Sequence, residues 1–175
     1  DGNKRTSNYH RFDFPEFSAA PDKFEVCIQS NKFSAQRIEL NLPDIKGQVK
    51  FSETVPWPKP FYSPGIMGPF SFVPFMECYH GIVSMDHRLT GALNLADSEI
   101  DFTDGRGYIE KDWGRSFPSG YIWMQSNHFS NPGISIKLSV AKIPWLASSF
   151  VGFICGIWIN NQLIRFTTYN RSALR

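Results

Sequence analysis

The sequence predicts an all-β, antiparallel fold, a barrel or sandwich holding parts of two β halves. Three observations carry that expectation. No window of a dozen residues holds an apolar face at i, i+3, i+4 and i+7 between capping residues, so α-helices are not expected. Short alternating runs recur instead, each closed by Gly, Pro, Asn or Asp. Aromatic residues reach 15% of the chain, with 16 Phe and 5 Trp, and aromatics favour strands and line apolar cavities.

The first run, 23–30, sets Phe24, Val26 and Ile28 on one side and Glu25, Cys27 and Gln29 on the other. Asn31-Lys32 reads as a turn into a strand over 37–42. Pro43-Asp44 then turns into 45–51, with Gly47 as a bulge position. Residues 54–69 differ. Pro56, Pro58, Pro60, Pro64 and Pro69, with Gly65 and Gly68, remove ladder donors and break helical dihedrals. Trp57, Phe61, Tyr62, Ile66 and Met67 make the segment too apolar for a solvated linker. A structured connection is expected there, across a barrel mouth or between two β units. The resulting division is 1–53 as the end of a first β half, 54–69 as the connection and 70–175 as the second β half.

Within that second half, 75–84 and 87–95 read as a hairpin about Met85-Asp86. Asp97-Ser98 and Asp104-Gly105 turn into strands over 100–102 and 108–113. Further strands are expected over 121–127, 134–143, 151–160 and 163–169, with Asn160-Asn161 as a two-residue hairpin turn.

Charge and composition narrow the partners. Eighteen basic and 16 acidic residues give a net charge of +2 with no dense basic run, so no nucleic-acid footprint is present. No apolar run approaches the roughly 20 residues of a spanning helix. The most apolar stretch, 145–159, is interrupted by Ser148, Ser149, Gly152 and Gly156, which leaves peripheral membrane contact open without requiring it. Cys27, Cys78 and Cys155 are odd in number and far apart, in apolar runs. They suggest neither a metal site nor a disulfide framework, and free thiols in a reducing, cytoplasmic setting are expected. The chain opens Asp1-Gly2-Asn3-Lys4 without an initiator Met or signal peptide and stops at Arg175 after a strand-like run, so it reads as a fragment. Nothing in it sets an oligomeric state.

The segment 105–118 departs from its surroundings. On a strand, Tyr108, Glu110 and Asp112 face one way, with their carboxylates roughly 7 Å apart. If that face is inward, crowding and desolvation make one carboxyl a usable general acid. If it is outward, both are solvated or paired with Lys111, Arg106 or Arg115. On the next strand Gln125 and Asn127 share a face with Tyr121 and Trp123, and inside a core they require hydrogen-bond partners. His80 and His87 flank Met85-Asp86, and Glu77 precedes His80 by three. That spacing puts Glu77 and His80 on opposite faces of a strand, so no metal and no cofactor are expected. No Gly-x-Ser-x-Gly elbow supports a Ser/His/Asp triad.

Gly107-Tyr-Ile-Glu-Lys-Asp-Trp-Gly114, Ser116-Phe-Pro118 and Ile122-Trp-Met-Gln-Ser-Asn127 resemble the signature of the tocopherol cyclase family. Pro64-Gly-Ile-Met-Gly68, Met76-Glu-Cys-Tyr-His-Gly81, Asp86-His87, Ala141-Lys-Ile-Pro144 and Arg165-Phe-Thr-Thr-Tyr169 are similar to its bacterial members, so the resemblance runs over most of 24–169. The family's Phe-Glu-Gly-Trp-Tyr-like N-terminal motif does not occur in this stretch. The resemblance implies lipocalin-like β halves and an intramolecular lyase, or isomerase, that closes a chroman ring on a prenylated hydroquinone. Such a reaction protonates an alkene, holds a tertiary cation and lets a phenol oxygen attack it. On that basis Asp112 or Glu110 is the acid and His80 or His87 the proton acceptor. Trp113 and Trp123 are then the walls, with Tyr108, Gln125 and Asn127 as further ligand contacts. A non-catalytic binder of an apolar small molecule and a structural β module are the other readings.

Overall fold

In the computed structural model, alternation and turn punctuation resolve into twelve β-strands and three short 3-10 turns, with no α-helix among the described residues, 7–96, 98–145 and 148–174. Asp97 of the expected turn, the opening Asp1-Gly2-Asn3-Lys4, part of the apolar stretch 145–159 and the terminal Arg175 lie outside them. None of the described helices is long and apolar enough to cross a membrane. By contacts the chain divides into two compact units, one running through Lys50 and adding Gly91–Asp101, the other made of Phe51–Thr90 and the chain from Phe102.

The first unit is an antiparallel meander of β1 (Phe17–Ala19), β2 (Glu25–Ile28), β3 (Asn31–Ser34), β4 (Arg37–Asn41) and β5 (Ile45–Ser52), which pair in chain order. The end of β6 (Cys78–Leu95) pairs there with β7 (Ser98–Asp101). The turn expected at Asn31-Lys32 falls instead on Gln29-Ser30, where Gln29 takes a φ of 53°. Asn31 is buried and works as a sheet residue: its Nδ2 donates to the Ile28 carbonyl at 3.0 Å and its Oδ1 accepts from the Asn41 amide at 2.8 Å. Gly47 makes no bulge against β4, because it stays in register with Leu40. Its φ of 138° serves a close approach, since a methyl there would overlap the Ala92 carbonyl.

The second unit holds the first part of β6, paired with β8 (Arg106–Gly114), and a four-stranded antiparallel sheet ordered β12 (Gln162–Thr167), β11 (Ser148–Ile159), β10 (Ser135–Trp145), β9 (Tyr121–Ser126). Among the described residues the pairing closes neither sheet into a barrel. The hairpin expected about Met85-Asp86 is absent: β6 is continuous through it. Both residues are buried, and their backbone bonds to Val55, Met85 N–H to the Val55 carbonyl at 2.7 Å and Val55 N–H to the Asp86 carbonyl at 3.0 Å. Register shifts against β8 between Ile82 and Ser84 and between Ser84 and His87 bend the strand there, so a pair of bulges replaces the turn. Asn160-Asn161 does form the expected hairpin turn, with φ of 49° and 57°.

The Pro-rich segment belongs to the second unit and carries much of its core. Trp57, Ile66 and Met67 pack with Ile82 and Met85 of β6, after which Gly68–Phe72 forms a 3-10 turn. The boundaries at 53/54 and 69/70 therefore do not coincide with the contact division. Apolar content alone could not sort this loop, because Trp57 is 1% exposed and Phe61 is 95% exposed. Trp57→Ala should cost about 3–5 kcal/mol by the cavity it leaves, whereas Phe61→Ser should stay within about 0.5 kcal/mol. Urea unfolding of the two variants checks this contrast.

Candidate functional site

The pleat of β8 sends Tyr108, Glu110 and Asp112 to one face, and the register with β6 sets His80 opposite Asp112 and Ile82 opposite Glu110. That face looks into a cavity of about 450 Å³. Its walls come from several elements. Cys78 and His80 on β6 and Glu110 and Asp112 on β8 form the polar end, with Met67, Phe70 and Met76 beside them. Tyr121 and Trp123 of β9 follow Phe117 and Pro118. Ser139, Ala141 and Ile143 of β10 alternate toward the cavity, and Phe150, Gly152 and Ile154 of β11 lie beside them in register. The apolar share of this lining is what a ligand site of this size uses to bury a mainly hydrocarbon molecule.

The polar end is one hydrogen-bonded cluster. His80 Nδ1 bonds Asp112 Oδ1 and lies 3.1 Å from Glu110 Oε1. Glu110 also accepts from the Tyr108 hydroxyl and from Trp123 Nε1, at 3.0 and 3.2 Å to its two oxygens. On the far side of the imidazole, Lys137 Nζ meets His80 Nε2 and donates to Ser139 Oγ at 2.8 Å. Lys137 has no exposed surface at all. It follows the same strand face as Ser139 and Ala141, between Gln125 on β9 and Gly156 on β11.

Burial decides the protonation preferences here. Lys137 is pushed down to about 8 by desolvation, against the opposing pull of Glu110, Asp112 and the Cys155 thiol. His80 is held below its ordinary value by burial and then by the Lys137 charge, although both carboxylates act the other way. Burial pushes the Tyr108 hydroxyl far up, with the Glu110 hydrogen bond adding to it, so the phenol stays a donor. The Cys78 and Cys155 thiols, both free, are likewise raised by burial.

The fold brings together Asp112, Glu110, His80, Tyr108 and Trp123, and it separates the rest. His87 is buried elsewhere, against Phe51 at 4.6 Å between ring centroids and with Nδ1 3.2 Å from Ser84 Oγ. Gly107 lies so close to its Nε2 that a methyl would overlap it. Trp113 points away from the cavity, stacked on Tyr79 at 5.7 Å with Lys111 Nζ over its ring at 4.6 Å. Asn127 is buried and donates to the Gly107 carbonyl at 3.0 Å and to Asp86 Oδ1 at 3.4 Å. Asp86 is itself held by Arg106 through Nε, at 3.1 Å, and through Nη2. Gln125 Nε2 is buried with no partner among the described residues. Lys111 and Arg106 are thus engaged with Trp113 and Asp86. The cation that the carboxylates face comes from β10.

Lys137 carried no motif and was not singled out from the sequence. Neither was the convergence of His80 Nδ1 with the Glu110 and Asp112 oxygens, which all lie within 4.8 Å of one another, near enough for one cation. Hydrogen bonds from His80, Tyr108 and Trp123 already fill that space, and the Lys137 ammonium beside it opposes a further positive charge.

Comparison with known proteins agrees with the motif-level resemblance. The family model described as tocopherol cyclase-like matches residues 18–173. The chain is 31% identical over 68 residues, 39% of its length, to a probable chloroplastic tocopherol cyclase of Oryza sativa subsp. japonica, and 28% identical over 102 residues, 55% of its length, to a chloroplastic tocopherol cyclase of Zea mays. It spans 14% and 21% of those two relatives. No solved structure matches it.

His87 supplies a pH test of the fold beside the site. Burial drops it to about 4 from an ordinary 6.5, with Asp86 and Arg106 acting in opposite directions. In the unfolded chain it takes up a proton below about 6.5, while in the folded one it stays neutral down to about 4, so stability must fall as pH drops through that window. Denaturation midpoints measured from pH 7 to pH 4 should decline, and His87→Asn should flatten the part of the slope that comes from this residue.

Proposed function

The chain belongs to the tocopherol cyclase-like family, and we propose that the cavity of its second unit binds a prenylated hydroquinone and closes its chroman ring, or performs a related acid-catalysed addition to a prenyl alkene. The observation that carries this reading is the placement of one polar cluster, His80 with Glu110 and Asp112, at the wall of an otherwise apolar cavity of about 450 Å³. A lipocalin-like half, with sheet strands around an apolar ligand, is the architecture it assumes.

Asp112 is the acid in this reading. Among the described residues it accepts from His80, whereas Glu110 is held by Tyr108, Trp123 and His80 together. Its O–H bond breaks as a C–H bond forms on the less substituted alkene carbon. The tertiary cation then lies against Trp123 and the Glu110 carboxylate, which offer a π face and negative charge. A C–O bond forms as the phenol oxygen attacks, and its proton returns to Asp112. Atoms and charge balance as an isomerisation, so no cofactor is consumed. A prenylated substrate resides in lipid, which makes peripheral membrane contact part of the proposal. The breadth of apolar lining by itself also favours a second reading, binding without turnover.

Asp112→Asn in the complete protein should keep ligand binding, followed by quenching of tryptophan fluorescence, while ring closure falls on the order of 10²–10⁴-fold. Unchanged turnover would remove Asp112 from the acid role. Binding of the prenylated hydroquinone by the wild type, seen by native mass spectrometry but without any cyclised product, would establish the binder reading instead.

A further inference from the structure

The reaction as drawn gives Lys137 nothing to do, yet an ammonium with no exposed surface is the group hardest to keep in this interior. Its neighbours explain its presence. Glu110 and Asp112 offer His80 Nδ1 only acceptors, so that nitrogen carries the imidazole proton. Lys137 offers Nε2 only donors, so that nitrogen presents its lone pair. Lys137, His80 and Asp112 therefore form an unbroken donor-to-acceptor chain, Nζ to Nε2 and Nδ1 to Oδ1, that ends at the cavity wall.

We propose that Lys137 is a positioning residue of this site, which fixes the tautomer of His80 and stores the proton that Asp112 delivers. The proposal rests on the acid-catalysed reading above. The ammonium passes a proton to His80 Nε2 as His80 Nδ1–H passes one to Asp112, leaving a neutral amine, the opposite imidazole tautomer and a carboxylic acid. Asp112 protonates the alkene. The phenol proton then enters at Asp112 and the two transfers run backwards, which restores the ammonium and leaves no net proton gained or lost. Exchanging the two separated charges for two neutral groups is favoured, on the lysine side, by the same burial that lowers Lys137 to about 8. The groups that face Lys137 are Glu110 and Asp112 from β8, His80 from β6, Cys155 from β11 and Ser139 from its own strand. Of these, only His80 and Asp112 lie on the path.

Two variants and one spectrum test this. In the full chain labelled with ¹⁵N-histidine, His80 should show a protonated Nδ1 and an unprotonated Nε2 at neutral pH. Lys137→Arg keeps the charge and the donor but cannot release a proton. It should preserve that tautomer and the KM for a prenylated hydroquinone, while kcat falls on the order of 10²-fold. Lys137→Met leaves Glu110 and Asp112 acting alone on His80, whose pKa should then rise. A proton on Nε2 in the wild type, or an Lys137→Arg variant with wild-type kcat, overturns the proposal. If Lys137→Met does not fold, the wild-type spectrum and Lys137→Arg still decide. A wild type inactive on prenylated hydroquinones but carrying the stated tautomer would sink the ring-closure reading alone, and the tautomer-fixing role would stand on the spectrum.

Discussion

A buried cation that must not be left alone is the constraint around which the second unit is organised. Lys137 on β10 reaches across to His80 on β6, and His80 in turn meets Asp112 and Glu110 on β8. Removing any member would strand a charge or a polar atom in an apolar interior, a penalty larger than most single packing changes. The cluster therefore links β10 to the β6–β8 pair through polar contacts as well as apolar ones. It also leaves Glu110 and Asp112 at the cavity wall.

The neighbouring side chains complete the cluster. Tyr108 and Trp123 both donate to Glu110, which fixes one carboxylate and leaves the other less encumbered. Ser139 Oγ accepts a second hydrogen bond from the Lys137 ammonium. Small residues keep the cavity open: Gly152 and Ala141 pair across β11 and β10 where larger side chains would fill it. Two carboxylates of the same strand thus acquire different surroundings.

A second polar knot lies away from the cavity. Asp86 is gripped by Arg106 and Asn127, and His87 is wedged between Phe51 and Gly107. These residues sit where β6 bulges, so their bonding holds the bend that aims Cys78–His80 at β8 and the cavity. Conspicuous motif residues can serve this end: Asp86-His87 and Asn127 belong to the segments that resemble the family, and here they hold the frame.

Alternation and turn residues were enough for the all-β class, nearly every strand from 98 to 167, the Asn160-Asn161 turn and the shared face of Tyr108, Glu110 and Asp112. Each depends on alternation or turn chemistry between near neighbours, and such local rules survive folding. The sequence did not reveal β3, because Asn31 has turn chemistry but finds its partners in Ile28 and Asn41. Nor did it reveal continuity through Met85-Asp86, since the partner that keeps those residues extended is Val55, thirty residues upstream by way of a proline-rich loop. Which way the carboxylate face points was left open as well. That orientation follows from the packing of distant strands, which places the cavity on that side. Lys137 is the clearest case. Simple alternation on 135–140 would bury Ile136, Leu138 and Val140 and send Ser135, Lys137 and Ser139 to solvent, yet Ser135 and Lys137 are the fully buried pair. A lysine goes inside only when a histidine and two carboxylates from distant strands converge to receive it, and that convergence is a property of the assembled sheets.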